Sequence, residues 1–273
     1  MSNIDLFDIK GKVIVITGGA GALGGSMAAY LLSKGAKIAI LDLYKESVEE
    51  KVLELKKAGG EVIGLSGSVL NESDLEKAKS ITLEKFGKID VLINAAGGNM
   101  PGATIGVDQT IFDLKMEDFR KVSELNLDGS VLPSLVFGKE IANQGSGSII
   151  NISSMTASRA ITRVVGYSAS KAAIDIFTKW MATEMALKFN DKIRVNAIAP
   201  GFFIGNQNRA LLIKDSGSYT DRGHLIIQNT PMKRFGNSDE LNGTIHWLIS
   251  DAASFVTGTI TPIDGGFSAF SGV

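Results

Sequence analysis

The chain has 273 residues, with 28 Lys+Arg against 29 Asp+Glu and no cysteine. A net charge near zero offers no basic surface for nucleic acid or an anionic membrane, and the lack of cysteine excludes disulfides and cysteine-ligated metals. No apolar run reaches the roughly 18 residues of a membrane-spanning helix, and the charged first residues are not typical of a signal peptide. We therefore expect a soluble, cytoplasmic protein with no nucleic-acid or membrane partner.

Short apolar runs alternate with longer amphipathic segments along the chain. The runs predicted as strands cover 12–17, 37–42, 61–66, 90–95, 147–153, 193–199 and 259–263. Most are continuously apolar, as expected of parallel strands that are covered on both faces. The predicted helices lie at about 22–34, 44–58, 72–86, 117–143, 164–190 and 238–250. Pro133 predicts a kink or break in the fourth of these helices.

The alternation of strands and helices predicts an α/β fold, with a parallel sheet wound by right-handed crossovers. No repeat, low-complexity tract or linker interrupts the pattern, so we expect one domain over 1–273. The segment from about 202 to 235 is long for a connection in a compact domain. Because connections of that length are usually functional, we expect a substrate lid there.

The first predicted strand runs into a glycine-rich turn, "TGGAGALGG" at 17–25, and then into a helix. Gly18, Gly21 and Gly24 would let the backbone approach a ligand closely, and the N-terminus of the helix would bind a pyrophosphate. Asp42, at the end of the second strand, could accept both hydroxyls of an adenosine ribose and repel a 2′-phosphate, which favours NAD over NADP. The alternatives are a glycine turn of purely steric origin and an aspartate that caps the next helix.

Four further motifs follow in order: "INAAG" (93–97), "NISS" (151–154), "YSASK" (167–171) and "NAIAPG" (196–201). With these motifs the chain resembles the short-chain dehydrogenase/reductase family from about residue 10 to the end. Ser154 lies 13 residues before Tyr167, and Lys171 lies four after it, as the active-site pattern of that family requires. The resemblance implies a Rossmann-type doubly wound parallel seven-stranded sheet with helices on both faces, and an NAD-dependent oxidoreductase.

The resemblance also implies roles for individual residues. The catalytic set is Asn126 (in "LNLDG"), Ser154, Tyr167 and Lys171. The cofactor positions are Gly18, Gly21, Ala22, Leu23, Gly24, Asp42, Ser68, Val69, Asn94, Ala95, Ala96, Gly97, Tyr167, Lys171, Pro200, Gly201 and Phe203. Three positions depart from the family pattern, since Ala22 replaces a glycine, Ser68 an aspartate and Gly205 a threonine. We expect altered packing at the first departure and altered cofactor contacts at the other two.

The spacing of Tyr167 and Lys171 has a chemical consequence. An isolated tyrosine has a pKa near ~10, too high for ready proton exchange at neutral pH. Lys171, one helical turn away, and the positive nicotinamide of NAD⁺ are predicted to lower that pKa. Tyr167 would then exchange a proton with the substrate oxygen, which Ser154 would hold, while Lys171 would bind the nicotinamide ribose. Asn126 would anchor a water that carries protons between Lys171 and solvent. The alternative interpretation of the motif is a surface Tyr–Lys pair beside an unrelated serine.

Several longer segments narrow the resemblance to the D-mannonate oxidoreductase (fructuronate reductase) branch of the family. They cover 95–104, 154–164, 199–212, 229–236 and 262–273. This similarity implies the interconversion of D-mannonate and D-fructuronate in hexuronate breakdown. The alternatives are a dehydrogenase of another sugar acid or polyol, similar to gluconate 5-dehydrogenase, and a non-catalytic dinucleotide sensor.

A sugar acid requires a guanidinium for its carboxylate and polar groups for its hydroxyls. Arg159 and Arg163 lie between the catalytic serine and tyrosine, and either could bind the carboxylate. The predicted substrate contacts are Asn99, Ser154, Met155, Arg159, Arg163, Tyr167, Asn208 and Arg209, with Asn206 and Gln207 beside them at the start of the lid. No metal site is expected, because the two histidines lie in different segments. By resemblance we expect a homotetramer or homodimer, with the helices at 117–143 and 164–190 in the dimer interface.

Overall fold

The computed structural model describes residues 5–205 and 208–272. Within them, seven strands form one sheet, in the order β3-β2-β1-β4-β5-β6-β7, and every pairing between neighbours is parallel. The strands are β1 (Val13–Thr17), β2 (Lys37–Asp42), β3 (Val62–Ser66), β4 (Val91–Asn94), β5 (Gly147–Ile152), β6 (Ile193–Pro200) and β7 (Ile260–Ile263). The strand order reverses between β1 and β4, and a ligand cleft forms at such a switch point, at the carboxyl ends of the strands.

Helices cover both faces of the sheet. They are α1 (Ala22–Ser33), α2 (Lys45–Lys57), α3 (Glu72–Phe86), α4 (Met116–Ser123), α5 (Gly129–Gln144), α6 (Val165–Lys188), α7 (Arg209–Leu212), α8 (Asp221–Asn229) and α9 (Asn242–Ile249). Alternate residues of β1 point to opposite faces, so Ile14 and Ile16 pack in the apolar cluster that includes α1 and α9. Val15 packs in the second cluster, with α3, α5 and α6. The predicted Rossmann-type doubly wound fold is confirmed.

The prediction of one helix over 117–143 is wrong. The segment forms two helices, α4 and α5, joined by a π turn over Glu124–Asp128. The expected break at Pro133 is also wrong, because α5 continues through this residue, and the expected kink stays a prediction. The irregularity arises at Asn126, whose side-chain Nδ2 donates to the carbonyl of Val122 at 2.8 Å. In a regular α-helix that carbonyl would accept from the backbone N–H of Asn126. The side chain therefore competes with this helical hydrogen bond and widens the turn.

The last predicted helix, over 238–250, begins as a 3₁₀ turn at Ser238–Leu241 and continues as α9. The turn carries a capping box between Asn237 and Glu240. Its apolar residues still face the sheet, since Leu241, Ile245 and Leu248 are buried in the cluster that includes α1. The predicted length was therefore close, and only the geometry of the first turn differs.

The segment predicted as a lid, 202–235, contains α7, α8 and an isolated antiparallel bridge between Ile213 and Tyr219. It has its own apolar cluster around Leu212, Ile226 and Phe235, separate from the two clusters of the sheet. Asn206 and Gln207 lie outside the described residues. No helix within 5–205 and 208–272 combines the length and the apolar composition that crossing a membrane requires.

Candidate active site

The glycine-rich turn brings three backbone segments into contact at the carboxyl end of β1. Gly18 has a φ of +66°, and a Cβ at this position would lie 2.8 Å from backbone atoms of Ala95. A Cβ on Gly24 would overlap the carbonyl oxygen of Gly18. Helix α1 then begins at Ala22 without a side-chain cap on its first N–H groups. A helix N-terminus of this kind, beside a closely packed turn, suits an anionic group such as a pyrophosphate.

The carboxylate of Asp42 is held at this turn. Its Oδ2 accepts from the backbone N–H of Ala20 at 3.0 Å, and its Oδ1 accepts from that of Leu43 at 2.8 Å. It does not cap the next helix, because α2 follows Tyr44 and has no side-chain cap. The structure therefore contradicts the capping alternative, and ribose binding by Asp42 stays a prediction.

The turn after β4 lies against the end of β1. Thr17 Oγ1 accepts from the backbone N–H groups of Ala95 and Ala96, at 3.1 and 3.2 Å. Asn94 is buried and donates through Nδ2 to Ser134 and Asn151 at 2.8 Å each. The side chain of Asn94 therefore connects β4, β5 and α5. A ligand at this turn would contact the backbone of the neighbouring residues rather than the Asn94 side chain.

The end of β6 contributes further predicted cofactor positions. Gly201 donates to the carbonyl of Ile263 at 2.9 Å, and a Cβ on it would lie 2.7 Å from Asp264. Pro200 is the last residue of β6 and is buried. Phe203 packs its ring in the core against Gly236, so a cofactor contact at this residue would come from its backbone.

The predicted catalytic tyrosine and lysine lie in the first turns of α6. The Nζ of Lys171 is 5.6 Å from the centre of the Tyr167 ring, and it donates to the carbonyl of Ile152 at 2.7 Å. Lys171 is only 4% exposed. Ser154 follows the end of β5, where its Oγ accepts from the backbone N–H of Thr156 at 3.3 Å. The end of β5 and the start of α6 thus bring the three residues together.

Asn126 completes this group from the π turn. Its Oδ1 accepts from the N–H of Gly98 at 3.0 Å, and its Nδ2 donates to the carbonyl of the same residue at 2.8 Å. A Cβ on Gly97 would lie 2.7 Å from Asn126 Oδ1 and 3.6 Å from Lys171 Nζ. The backbone after β4 therefore passes between these two side chains with no space for anything larger than glycine at position 97.

The electrostatics of the group differ from the sequence-based prediction. Burial raises the pKa of Tyr167, and interaction with the Ser154 hydroxyl opposes that shift. Burial lowers the pKa of Lys171 to about 8, and the charge of Asp175 opposes that shift. For the protein groups alone the tyrosine pKa is raised rather than lowered, because the phenolate loses water on burial. The lowering expected from Lys171 together with the positive nicotinamide of NAD⁺ stays a prediction for the complex with NAD⁺.

Sequence reasoning missed Asp175 and Ser153. Ser153 is buried, and its hydroxyl donates to the Asp175 carboxylate. Burial raises the pKa of Asp175, and the hydrogen bond from Ser153 opposes that shift. Helix α6 thus binds two consecutive residues at the end of β5, Ile152 through Lys171 and Ser153 through Asp175. The spacing of Asp175, one turn after Lys171, is the signal that could have indicated this contact.

On the substrate side, Asn99 and Arg163 lie on neighbouring loops. Asn99 Nδ2 donates to Thr104 Oγ1 at 2.6 Å, while its buried Oδ1 has no hydrogen-bond partner among the described residues. Arg163 has a φ of +77°. Its Nε donates to the carbonyl of Ile105 at 2.5 Å, and its own carbonyl accepts from Ile105 at 3.0 Å. Met155 is buried next to Ser154, the predicted catalytic serine.

Two other predicted substrate residues are engaged by the protein itself. Arg159 donates through Nε to the carbonyl of Ser268 at 2.8 Å. Asn208 closes the first turn of the lid, since it accepts from Gly205 and donates to Phe203 at 2.8 Å each. Arg209 is exposed at the start of α7. Within 5–205 and 208–272 no group of three histidine or acidic side chains is placed to bind a metal ion.

Comparison with known proteins decides the family. A family model described as "Enoyl-(Acyl carrier protein) reductase" matches residues 18–268. The chain belongs to the short-chain dehydrogenase/reductase family. An "Uncharacterized oxidoreductase UxuB" of Bacillus subtilis is 46% identical over 97% of this chain and 98% of its own length. A 2-dehydro-3-deoxy-D-gluconate 5-dehydrogenase of Formosa agariphila is 32% identical over 99% and 97%.

A crystal structure is also similar. It shows a proposed D-mannonate oxidoreductase of Haemophilus influenzae with bound NAD. It is 42% identical to this short-chain dehydrogenase/reductase, with a TM-score of 0.90, and the similarity covers 97% of this chain and 98% of the other.

The three departures from the pattern of short-chain dehydrogenases/reductases are accommodated locally. Ala22 is exposed as the first residue of α1. The N–H of Ser68 donates to Asp74 Oδ2 at 2.9 Å, so a carboxylate from α3 lies beside Ser68. The N–H of Gly205 donates to Asn208. Val69, beside Ser68, is buried.

Proposed function

We propose that this oxidoreductase transfers a hydride between NAD and a sugar acid, and that the sugar acid pair is D-mannonate and D-fructuronate. The observation that carries the reaction type is the convergence of Tyr167, Lys171 and Ser154 at the carboxyl ends of the strands, with Asn126 behind them. The substrate is supported by similarity to the Haemophilus protein described as a proposed D-mannonate oxidoreductase. The NAD assignment is supported by the same structure, which contains NAD.

NAD fits the residues at the switch point. The uncapped N-terminus of α1 would hold the pyrophosphate, and Asp42, fixed by Ala20, would accept the adenosine ribose hydroxyls. The same carboxylate would repel a 2′-phosphate, which disfavours NADP. Lys171 would bind the nicotinamide ribose. When bound, the nicotinamide ring supplies the acceptor or donor of hydride.

The protein's part in the reaction is the movement of one proton. In the oxidation, Tyr167 would act as a phenolate, which the positive charge of bound NAD⁺ would stabilise against the effect of burial. Its Oη would accept the proton of the substrate hydroxyl, and in the reduction the neutral phenol would return that proton to the carbonyl oxygen. Ser154 Oγ donates a hydrogen bond to that oxygen and fixes its distance from the tyrosine. Lys171 Nζ lies 5.6 Å from the centre of the Tyr167 ring, and the Ile152 carbonyl holds it there. Asn126 keeps the backbone of Gly98 in place beside them.

The substrate side suits a polyhydroxylated acid. Asn99 Oδ1 is a buried acceptor without a partner in the described part of the chain, and a substrate hydroxyl could satisfy it. Arg163 places a guanidinium on the loop that leads directly into the helix of Tyr167. A guanidinium can bind a carboxylate through two parallel hydrogen bonds.

The test is NADH formation by the purified protein with D-mannonate, D-gluconate, D-altronate and xylitol. We expect the highest kcat/KM with D-mannonate. A higher value with another sugar acid moves the assignment to that acid, and turnover of xylitol alone rejects the sugar acid class.

The assembly is proposed as a homodimer or homotetramer. Large apolar side chains are exposed on α6, including Ile176 at 64% and Trp180 at 62%, and on α5 at Leu135. Burial of such a face between two copies would remove apolar area from water. Light scattering of the wild type and of Trp180→Glu checks this, with a smaller mass expected for the variant. One domain and a cytoplasmic location stay predictions.

A further inference from the structure

Two arginines from distant parts of the chain lie close together on the substrate side. Arg163 precedes α6, whereas Arg222 is on α8 of the lid. Arg222 Nη1 and Nη2 lie 3.4 and 3.5 Å from the hydroxyl and the carbonyl of Thr162, the neighbour of Arg163. Burial lowers the pKa of Arg222, and the nearby charge of Arg163 lowers it further. The lid therefore contacts the active-site loop at Thr162 and places a second positive charge near Arg163.

Neither charge is compensated in the described part of the chain. No carboxylate within 5–205 and 208–272 lies within 4.0 Å of either guanidinium. Both side chains are half-buried, so solvent screens their repulsion less than on an open surface. The contacts of Arg222 with Thr162 are long and weak for hydrogen bonds. An anion between the two guanidiniums would remove the repulsion and supply acceptors for both.

Arg163 is held in one orientation. It has a left-handed backbone, with a φ of +77°, which is unfavourable for a residue other than glycine. Two hydrogen bonds to Ile105 maintain this conformation, one from Nε and one to the backbone carbonyl. Among the described residues its Nη1 and Nη2 groups have no acceptor, so the end of the guanidinium is available to a ligand.

The pair is connected to the catalytic group by a short series of contacts. Gly98 is bound to the catalytic Asn126, and the next residue, Asn99, is bound to Thr104. Ile105 follows and holds Arg163. The loop over 98–105 thus has one end at the proposed catalytic group and the other at the arginine pair.

We propose that Arg222 and Arg163 together bind the carboxylate of the substrate, one from the lid and one from the active-site loop. This inference rests on the proposed sugar acid substrate and adds Arg222 as the residue that determines specificity for an acid. The carboxylate also links the lid to the loop, so an acid substrate closes the site more firmly than a neutral one.

The experiment compares an acid with its uncharged counterpart. Arg222→Gln, Arg222→Lys and the wild type are assayed with D-mannonate and with D-mannonamide, which has the same hydroxyls and no charge. For D-mannonate we expect Arg222→Gln to lose about 10- to 100-fold in kcat/KM, mainly through KM, as for the loss of a charged hydrogen bond. For the amide we expect less than about a threefold change, and Arg222→Lys should recover part of the lost activity because it keeps the charge without the planar fork.

Lys214→Gln is the matched control, because it removes one positive charge from an exposed position of the same lid. NADH binding and the melting temperature of each variant confirm that the fold and the cofactor site are intact. Equal losses for the acid and the amide in Arg222→Gln overturn the inference and make Arg222 a structural contact of the lid.

The outcomes also separate the inference from the proposed function. If another sugar acid is the preferred substrate and Arg222→Gln discriminates between that acid and its amide, the carboxylate site stands and only the D-mannonate assignment fails. If D-mannonate is the preferred substrate and there is no discrimination, the inference alone fails. If no sugar acid is turned over, both fail.

Discussion

The cofactor side and the substrate side of the cleft are built from different contacts. On the cofactor side, backbone meets backbone at Gly18 and Gly24, and a Cβ at either position would be too close to main-chain atoms. On the substrate side, side chains make the contacts: Asn99 binds Thr104 within one loop, whereas Arg163 and Arg222 each bridge to another segment. Specificity can therefore change on the substrate side at little cost in stability, whereas the cofactor side tolerates almost no change.

The largest effect is expected at Tyr167, where the two sides meet. Tyr167→Phe removes the proton-transferring hydroxyl, so kcat should fall by about 10²- to 10⁴-fold. The NADH dissociation constant should change little, because the ring remains. Tyr219→Phe, which removes a hydroxyl from the lid, is the control. Turnover of Tyr167→Phe at the wild-type rate would show that the catalytic group is elsewhere.

The second prediction concerns the buried lysine. Because burial lowers the pKa of Lys171 from 10.5 to about 8, the folded protein binds fewer protons than the unfolded chain between these two pH values. The free energy of unfolding should therefore rise with pH across that window, by about 3 kcal/mol from this group. Urea unfolding of the wild type and of Lys171→Met at about pH 8 and about pH 10.5 measures it. If the free energy of unfolding changed with pH equally in the two proteins, the lowered pKa of Lys171 would be contradicted.

The third prediction tests the steric nature of the cofactor side. Gly24→Ala places a methyl group against the Gly18 carbonyl, so we expect a loss of about 1–3 kcal/mol in the free energy of unfolding. The displaced turn should also weaken NADH binding by about tenfold or more. Gly243→Ala in α9 is the matched control, since a Cβ there has no atom within 4 Å. Equal stability and equal NADH affinity of the two variants would contradict the steric constraint on the cofactor side.

The smallest effect is expected at Arg159. Arg159→Gln removes hydrogen bonds to the Ser268 carbonyl at an exposed position, so the free energy of unfolding should fall by about 1 kcal/mol. The ratio of kcat/KM for D-mannonate and D-mannonamide should stay within about twofold of the wild type. A loss of acid preference as large as that expected for Arg222→Gln would mean that Arg159 binds the carboxylate.

Local patterns predicted most of the fold and which proposed catalytic residues lie together. Continuous apolar runs located each of the seven strands to within a residue or two, because buried parallel strands carry no polar face. The Tyr167 and Lys171 spacing was enough to place both side chains together, since residues four apart share one face of a helix. The glycine-rich turn was equally local, because its chemistry depends on consecutive backbone positions.

Contacts between distant segments were not predictable in this way. The π turn depends on Asn126 reaching Gly98, a contact that periodicity does not encode. The raised pKa of Tyr167 depends on how much of the fold surrounds the ring. Arg159 is bound by Ser268 from the end of the chain, while Arg222 comes from the lid. Each of these pairings requires the folded arrangement of loops, which have few sequence signals of their own.

The most direct measurement is the fate of the hydrogen that leaves the sugar acid. Purified protein is incubated with NAD⁺ and with D-mannonate deuterated at its carbinol carbons, and the NADH formed is analysed by mass spectrometry. We predict that each NADH carries one deuterium in the wild-type reaction and that Tyr167→Phe forms almost no NADH. NADH without deuterium, or no NADH at all from the wild type, would contradict direct transfer between the sugar acid and the dinucleotide.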